Sequence, residues 1–137
     1  MSQYYQLSGQ TLWNPSNGAS RLFMSQVTVY QAEVGLPSGI GPMEADECQI
    51  DPIALEAFVS ALLAWHSETR HAVMATLSEG FVATVLALAE IANIEVSWQA
   101  AKHAERFYLK TTSDPHAKEW TAALEQKSRE LVRHMAY

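Results

Sequence analysis

The stretch of sequence that decides the fold lies at residues 72–92, which read AVMATLSEGFVATVLALAEIA. On a helical wheel, at ~100° per residue, its apolar side chains fall on several sides instead of forming one stripe. A helix of that kind is typical of the middle of a bundle. A row of small or polar residues along one side would let another backbone approach closely, within the domain or across a dimer axis: Thr76, Gly80, Ala83, Ala87 and Glu90.

Proline and glycine mark the ends of the surrounding helices. Asn14-Pro15, Asp51-Pro52 and Asp114-Pro115 each place a side-chain acceptor before a proline, which is typical of a helix N-terminus. Residues 35–42 hold three glycines and two prolines and are predicted to form a loop. We therefore predict helices at 16–34, 52–68, 71–93, 98–110 and 115–135, a hairpin at Gln3–Trp13 and an extended piece at Ala45–Ile50.

The predicted architecture is mainly α, a bundle of about five helices with a short N-terminal β-hairpin or extended segment. A chain of 137 residues, 48% of them hydrophobic, is close to the commonest size of one domain and can bury a core, so residues 1–137 are predicted to be a single domain. Residues 53–78 contain neither glycine nor proline. The polar residues Ser67–His71 favour a break between the second and third predicted helices, and one long helix is the alternative.

The charge balance excludes several partners. Nine Lys and Arg residues against fifteen Asp and Glu residues give a net charge of -6, which repels phosphate backbones and anionic membranes. We predict neither a nucleic-acid nor a membrane partner, and Glu79 and Glu90 interrupt the apolar stretch that could span a bilayer. The single cysteine, Cys48, forms no internal disulfide, and the N-terminus lacks the pattern of a signal peptide, so a cytoplasmic location is predicted.

Two polar residues stand on otherwise apolar helical faces. His66 follows Leu62 by one turn, and Glu105 lies among apolar neighbours on the fourth predicted helix. Burial would leave the imidazole neutral and raise the pKa of the carboxyl group, which suits a catalytic base and acid if the two converge. The structural alternatives are a bond from the imidazole to a carbonyl group, and a pair between Glu105 and Lys102 or Arg106.

The acidic loop, Glu44–Asp51, carries four carboxylates in eight residues. Such a cluster favours a cation, a metal or an amine-bearing ligand, or is simply solvated. Its spacing does not match an EF-hand, and we predict no metal site and no cofactor. The acidic neighbours of Cys48 oppose formation of a thiolate, so a catalytic cysteine is not expected.

Aromatic residues supply the remaining candidates. Trp13 either packs beside the first helix as a hydrophobic staple or walls a ligand pocket with Tyr30 and the loop at 35–42. The full set of candidate ligand-binding residues is Trp13, Tyr30, Asp46, Glu47, Trp65, Glu79, Trp98 and Tyr108.

Two segments carry a resemblance to a known family. Leu12-Trp13-Asn14-Pro15-Ser16-Asn17, and the loop at 35–42 followed by Asp46-Glu47, resemble a family of small uncharacterised actinobacterial proteins with a domain of unknown function. The resemblance implies a bacterial cytoplasmic protein and transfers no catalytic residue.

The sequence supports three hypotheses about function. The first is a non-catalytic α-helical binding or accessory module, homodimeric, that offers the acidic loop or a cavity between helices to a small apolar or cationic ligand. The second is a cofactor-independent isomerase, cyclase or dehydratase that uses His66 and Glu105 in a bundle cavity. The third is an immunity or antitoxin-like protein whose acidic loop binds a basic partner.

Overall fold

The computed structural model describes residues 1–69, 71–99 and 120–135. The mainly helical class is confirmed, although these residues form four helices where about five were predicted. The helix predicted at 98–110 and the start predicted at Asp114-Pro115 lie outside the described residues, apart from the first residues of the former. The elements are β1 (Tyr4–Leu7), β2 (Gln10–Trp13), α1 (Asn17–Val34), β3 (Glu47–Gln49), α2 (Pro52–Glu68), α3 (Ala72–Ile91) and α4 (Trp120–Met135).

The N-terminal hairpin is present as predicted and belongs to a three-stranded sheet of order β2-β1-β3. Ser8 and Gly9 turn the chain with φ angles of 49° and 81°, the left-handed pair that a two-residue hairpin requires. β3 runs parallel to β1. It is shorter than the predicted extended piece because Ala45 and Asp46 have φ angles of 51° and 63° and form a turn.

Side-chain caps explain where α1 and α2 begin. The prediction that Asn14 caps α1 is wrong, because Ser16 is the N-cap and its Oγ accepts the amide hydrogen of Ala19 at 3.3 Å. The predicted start of α2 is confirmed. The Asp51 carboxylate accepts the amide hydrogens of Ile53 and Ala54 at 3.1 and 3.4 Å, in front of a proline at the first helical position.

Hydrogen bonds from and to the glycine-rich loop at 35–42 connect the end of α1 with the beginning of α2. The amide of Asp51 donates to the Gly39 carbonyl at 2.7 Å, and the amide of Ser38 donates to the Gln31 side chain at 2.9 Å. Gly39 has a φ of 77°, and a Cβ there would lie 2.5 Å from the Asp51 carbonyl oxygen. Only glycine fits this position without displacing the backbone.

Helix α3 lies at the centre, packed against α2 and against α4. The predicted break before it is confirmed, since α2 ends at Glu68 and α3 begins at Ala72. The row of small residues is covered only in part. Ala83 and Ala87 are completely buried, whereas Thr76 and Gly80 are exposed.

Of the described helices, α3 is the one whose length and apolar composition would allow it to cross a membrane. Half of that apolar stretch is buried inside the protein. The core helix of a bundle has the same properties, so its composition is weak support for a span.

Candidate ligand-binding cavity

His66 is buried near the C-terminal end of α2, where its Nδ1 lies 2.9 Å from Oγ of Ser78 on α3. The Ser78 hydroxyl also lies 2.8 Å from the Met74 carbonyl, and we assign its hydrogen to that bond, which makes the Nδ1–H of His66 the donor to the serine oxygen. Burial lowers the pKa of His66, and the carboxylate of Glu79 opposes this more weakly. His66 is thus a neutral imidazole whose bond goes to a hydroxyl group, where a carbonyl was predicted.

The tautomer leaves Nε2 of His66 as an acceptor. Two side-chain atoms of the described chain are buried without a hydrogen-bond partner, Oδ1 of Asn14 and Oδ1 of Asn17, and Nε2 is not among them. Glu105 and Tyr108 lie outside the described residues, so the convergence of His66 with Glu105 stays a prediction. Glu79 is exposed, on α3 one residue after Ser78.

The aromatic candidates form a chain of rings in the core. Trp13 packs edge-on against Phe23 with ring centroids 5.4 Å apart. Tyr30 stacks on Phe81 at 4.5 Å and meets Trp65 edge-on at 5.7 Å. Phe23 and Phe81 stack on each other at 5.6 Å between Trp13 and Tyr30, which favours packing, the first of the two alternatives for Trp13, over a pocket shared with Tyr30. These rings pack the interface between α1, α2 and α3.

The acidic loop consists of an exposed turn at Ala45 and Asp46 followed by strand β3. Asp46 and Glu47 point their side chains away from the core, and the Asp46 carbonyl accepts the Tyr4 amide at 2.8 Å. Glu44 and Glu47 exchange backbone hydrogen bonds, and Asp51 caps α2. Within the described ranges, no group of three or more histidine, cysteine or carboxylate side chains is arranged to hold a metal ion.

Cys48 is completely buried and its thiol donates to the Gly41 carbonyl at 2.9 Å. Burial raises the pKa of the thiol to about 11. The acidic neighbours were predicted to oppose the thiolate, but desolvation by burial is what raises this pKa. A protonated, inaccessible thiol is not a nucleophile.

A cavity of about 520 Å³ opens between the C-terminal half of α3, residues 94–98 and α4. The chain reaches it by a sharp turn, in which Asn93 has a φ of 58° and the Ile94 amide donates to the Ala89 carbonyl at 2.8 Å. The Ser97 amide then donates to Oγ of Ser60 on α2 at 3.0 Å. These bonds position the segment that carries Trp98, a predicted ligand-binding residue.

The cavity combines an apolar floor, an indole and a charged rim. Its described lining residues are Leu86, Ala89, Ile94, Val96, Trp98, Ser128, Glu90, Glu95, Glu125 and Arg129. Among the described lining residues, carboxylates outnumber the guanidinium group, so this part of the rim carries a net negative charge. An indole face and nearby carboxylates both attract a cation. Glu90, Glu95 and Glu125 were not predicted as site residues, because they are spread over 36 positions of the chain and share no motif.

Fold and cavity together define a class of protein, a mainly helical domain with a small N-terminal sheet and an acidic cavity walled by an indole. Residues 1–137 match the family model described as Family of unknown function (DUF6086), and the chain belongs to that family. No curated protein and no solved structure matches the chain. Membership confirms the resemblance to an uncharacterised family, while the actinobacterial origin stays a prediction.

Proposed function

We propose that this protein is a non-catalytic binding module whose ligand is a small organic cation held in the cavity at Trp98. The observation that carries the proposal is a cavity of about 520 Å³ whose described lining residues combine an indole with more carboxylates than guanidinium groups. Cavities that bind small molecules commonly measure ~300–1,000 Å³ and place a few polar groups around an apolar lining.

Each part of the cavity matches one part of such a ligand. The face of Trp98 attracts an ammonium group with about 1 kcal/mol at a half-exposed site and about 2 kcal/mol when water is excluded. Glu90 and Glu95, which are both exposed, add an attraction that salt screens. Leu86 and Ile94 contact the hydrocarbon part of the ligand. A neutral molecule of equal shape lacks the first two contributions.

The described lining favours binding over catalysis. Ser128 is the hydroxyl group that lines the cavity, and its side chain is buried. The lining residues of the described chain include no histidine or cysteine to act as a base or nucleophile beside it. His66, the predicted base, does not line this cavity.

Titration calorimetry with choline and with its neutral analogue 3,3-dimethylbutan-1-ol tests the proposal. We expect choline to bind and the neutral alcohol to bind at least five-fold more weakly, because about 1 kcal/mol corresponds to that factor. Trp98→Leu and Glu95→Gln should each weaken choline binding about five-fold, and higher salt should weaken it further. Glu56→Gln, at an exposed position of α2, is the matched control and should change nothing.

Equal affinity for the two molecules, or choline binding that survives both substitutions in the cavity, would refute the proposal. The other predictions about function stay predictions. They are the enzyme with His66 and Glu105, the immunity or antitoxin-like protein with a basic partner, the homodimer and the cytoplasmic location.

A further inference from the structure

Helix α4 contributes two polar residues to the cavity at Trp98 that the binding of a simple cation does not require. Ser128 and Arg129 follow each other on α4, and both line the cavity. The carboxylates of the rim attract a cation, whereas a guanidinium group in the same cavity repels one. The positive charge of Arg129 therefore suits a ligand that also carries a negative group.

The hydroxyl group of Ser128 is available to a ligand. Ser128 is only 4% exposed, yet it makes no hydrogen bond within the part of the chain that the structure describes. In those residues, the completely buried side-chain atoms without a partner are Oδ1 of Asn14 and Oδ1 of Asn17, so the Ser128 oxygen is not sealed in the core. Because Ser128 lines the cavity, the accessible part of its hydroxyl group faces that cavity. Buried hydroxyl groups nearly always have a hydrogen-bond partner, and here a ligand can supply it.

The guanidinium group of Arg129 also has no partner among residues 1–69, 71–99 and 120–135. Glu125 precedes it by one helical turn, the spacing at which helical ion pairs form, but no ion pair joins the two side chains. A guanidinium group binds both oxygens of a carboxylate through two parallel hydrogen bonds, and a serine hydroxyl donates one more. Ser128 and Arg129 together thus provide the donors that a carboxylate group needs.

We infer that the ligand of this cavity is a betaine, a small zwitterion whose ammonium group lies against Trp98 and whose carboxylate is bound by Ser128 and Arg129. The inference rests on the proposed function, because the ammonium group uses the indole and the carboxylates already assigned to a cation. All of these residues line one cavity, with Glu90 and Glu95 beside the cationic half of the ligand. The long methylene stem of Arg129 lets its guanidinium group reach a carboxylate inside the cavity.

Titration calorimetry of the full chain with four ligands of nearly equal shape tests the two halves of the site separately. Glycine betaine carries both charges, choline the positive charge, 3,3-dimethylbutanoate the negative charge, and 3,3-dimethylbutan-1-ol neither. We expect glycine betaine to bind about five-fold more tightly than choline, because a hydrogen bond to a charged group exceeds one to a hydroxyl group by about that factor. It should also bind at least about five-fold more tightly than 3,3-dimethylbutanoate, which lacks the ammonium group.

Substitutions on α4 should affect the two ammonium ligands in opposite directions. Arg129→Gln should weaken the binding of glycine betaine about five-fold, because the carboxylate loses its charged partner. The same substitution should strengthen the binding of choline about two-fold, because a like charge leaves the cavity. Ser128→Ala should weaken the binding of glycine betaine more than that of choline. Arg133→Gln removes the same charge one turn later, at an exposed position outside the cavity lining, and should change neither affinity.

The outcomes distinguish the inference from the proposed function. If choline binds and glycine betaine binds no more tightly, or if Arg129→Gln shifts both affinities in the same direction, the inference is overturned and the proposed function stands. If glycine betaine and 3,3-dimethylbutanoate bind equally, the ammonium group contributes nothing, which refutes the proposed function and the inference with it. The absence of binding by all four ligands also refutes both. Arg129 is exposed, so its substitution preserves the fold and decides the matter even if Ser128→Ala does not fold.

Discussion

Removing the hydroxyl group of Ser78 should destabilise the protein through His66. In Ser78→Ala, the Nδ1–H of the buried imidazole loses the acceptor that lies 2.9 Å away. A buried donor without a partner lowers the free energy of unfolding by about 1–3 kcal/mol, and the higher helix propensity of alanine offsets roughly 0.5 kcal/mol of this. We expect a net loss of about 1–2 kcal/mol in the free energy of unfolding, or a fall of about 1 M in the urea midpoint for a domain of this size.

Urea unfolding at pH 8, followed by circular dichroism, measures this loss. Thr76→Ala is the matched control, because the Thr76 hydroxyl makes the same bond to a carbonyl one turn earlier, at 2.9 Å, but is exposed. A double-mutant cycle with His66→Leu isolates the pair, since the effect of Ser78→Ala should nearly vanish in that background. The reasoning fails if Ser78→Ala costs the same with and without the imidazole, or no more than Thr76→Ala.

Three further predictions concern titration and backbone fit. Because burial lowers the pKa of His66, the unfolded chain takes up a proton at higher pH than the folded protein does. The free energy of unfolding should therefore be constant above pH 6.5 and fall as the pH drops below that value. The urea midpoint as a function of pH measures this fall, which should be smaller in His66→Leu. Cys48 should react with a thiol reagent at pH 8 only after unfolding, since the pKa of its thiol is about 11; fast labelling of the folded chain would contradict this. Gly39→Ala should lower the free energy of unfolding by at least ~2 kcal/mol, because the new Cβ would meet the Asp51 carbonyl. Gly35 has a φ of 72° and no neighbour within 4 Å, so Gly35→Ala should lower it by only about 1 kcal/mol.

The parts of the fold that could be predicted are those where neighbouring residues act on each other. Asp51 and Pro52 form a helix start whatever surrounds them, because a carboxylate cap and a missing amide hydrogen are local effects. The same pattern at Asn14-Pro15 predicted that Asn14 caps α1, and that prediction is wrong. Ser16, one residue beyond the proline, offers the hydroxyl group, and the backbone of residues 1–3 pairs with residues 15–17, which sets the direction in which the chain enters the helix.

The candidate site was predictable only in fragments. The position of His66 in an apolar arc correctly indicated burial, but its partner is a serine twelve residues away on the next helix. Trp98 was predicted as a ligand-binding residue, and the structure places it in a cavity. The carboxylates beside it carried no signal, because a cavity rim needs no fixed spacing along the chain.

By itself, the sequence determined the helical class, the hairpin, the helix start at Asp51 and the break before α3. These follow from periodicity, caps and turn residues, whose effects act over a few positions. Only the tertiary structure decided which half of α3 is covered, and hence that Ala83 is buried while Gly80 is open. It also brought Glu90 and Glu95 to the same cavity as α4. Packing between helices depends on apolar surface summed over distant segments, so no local pattern specifies it.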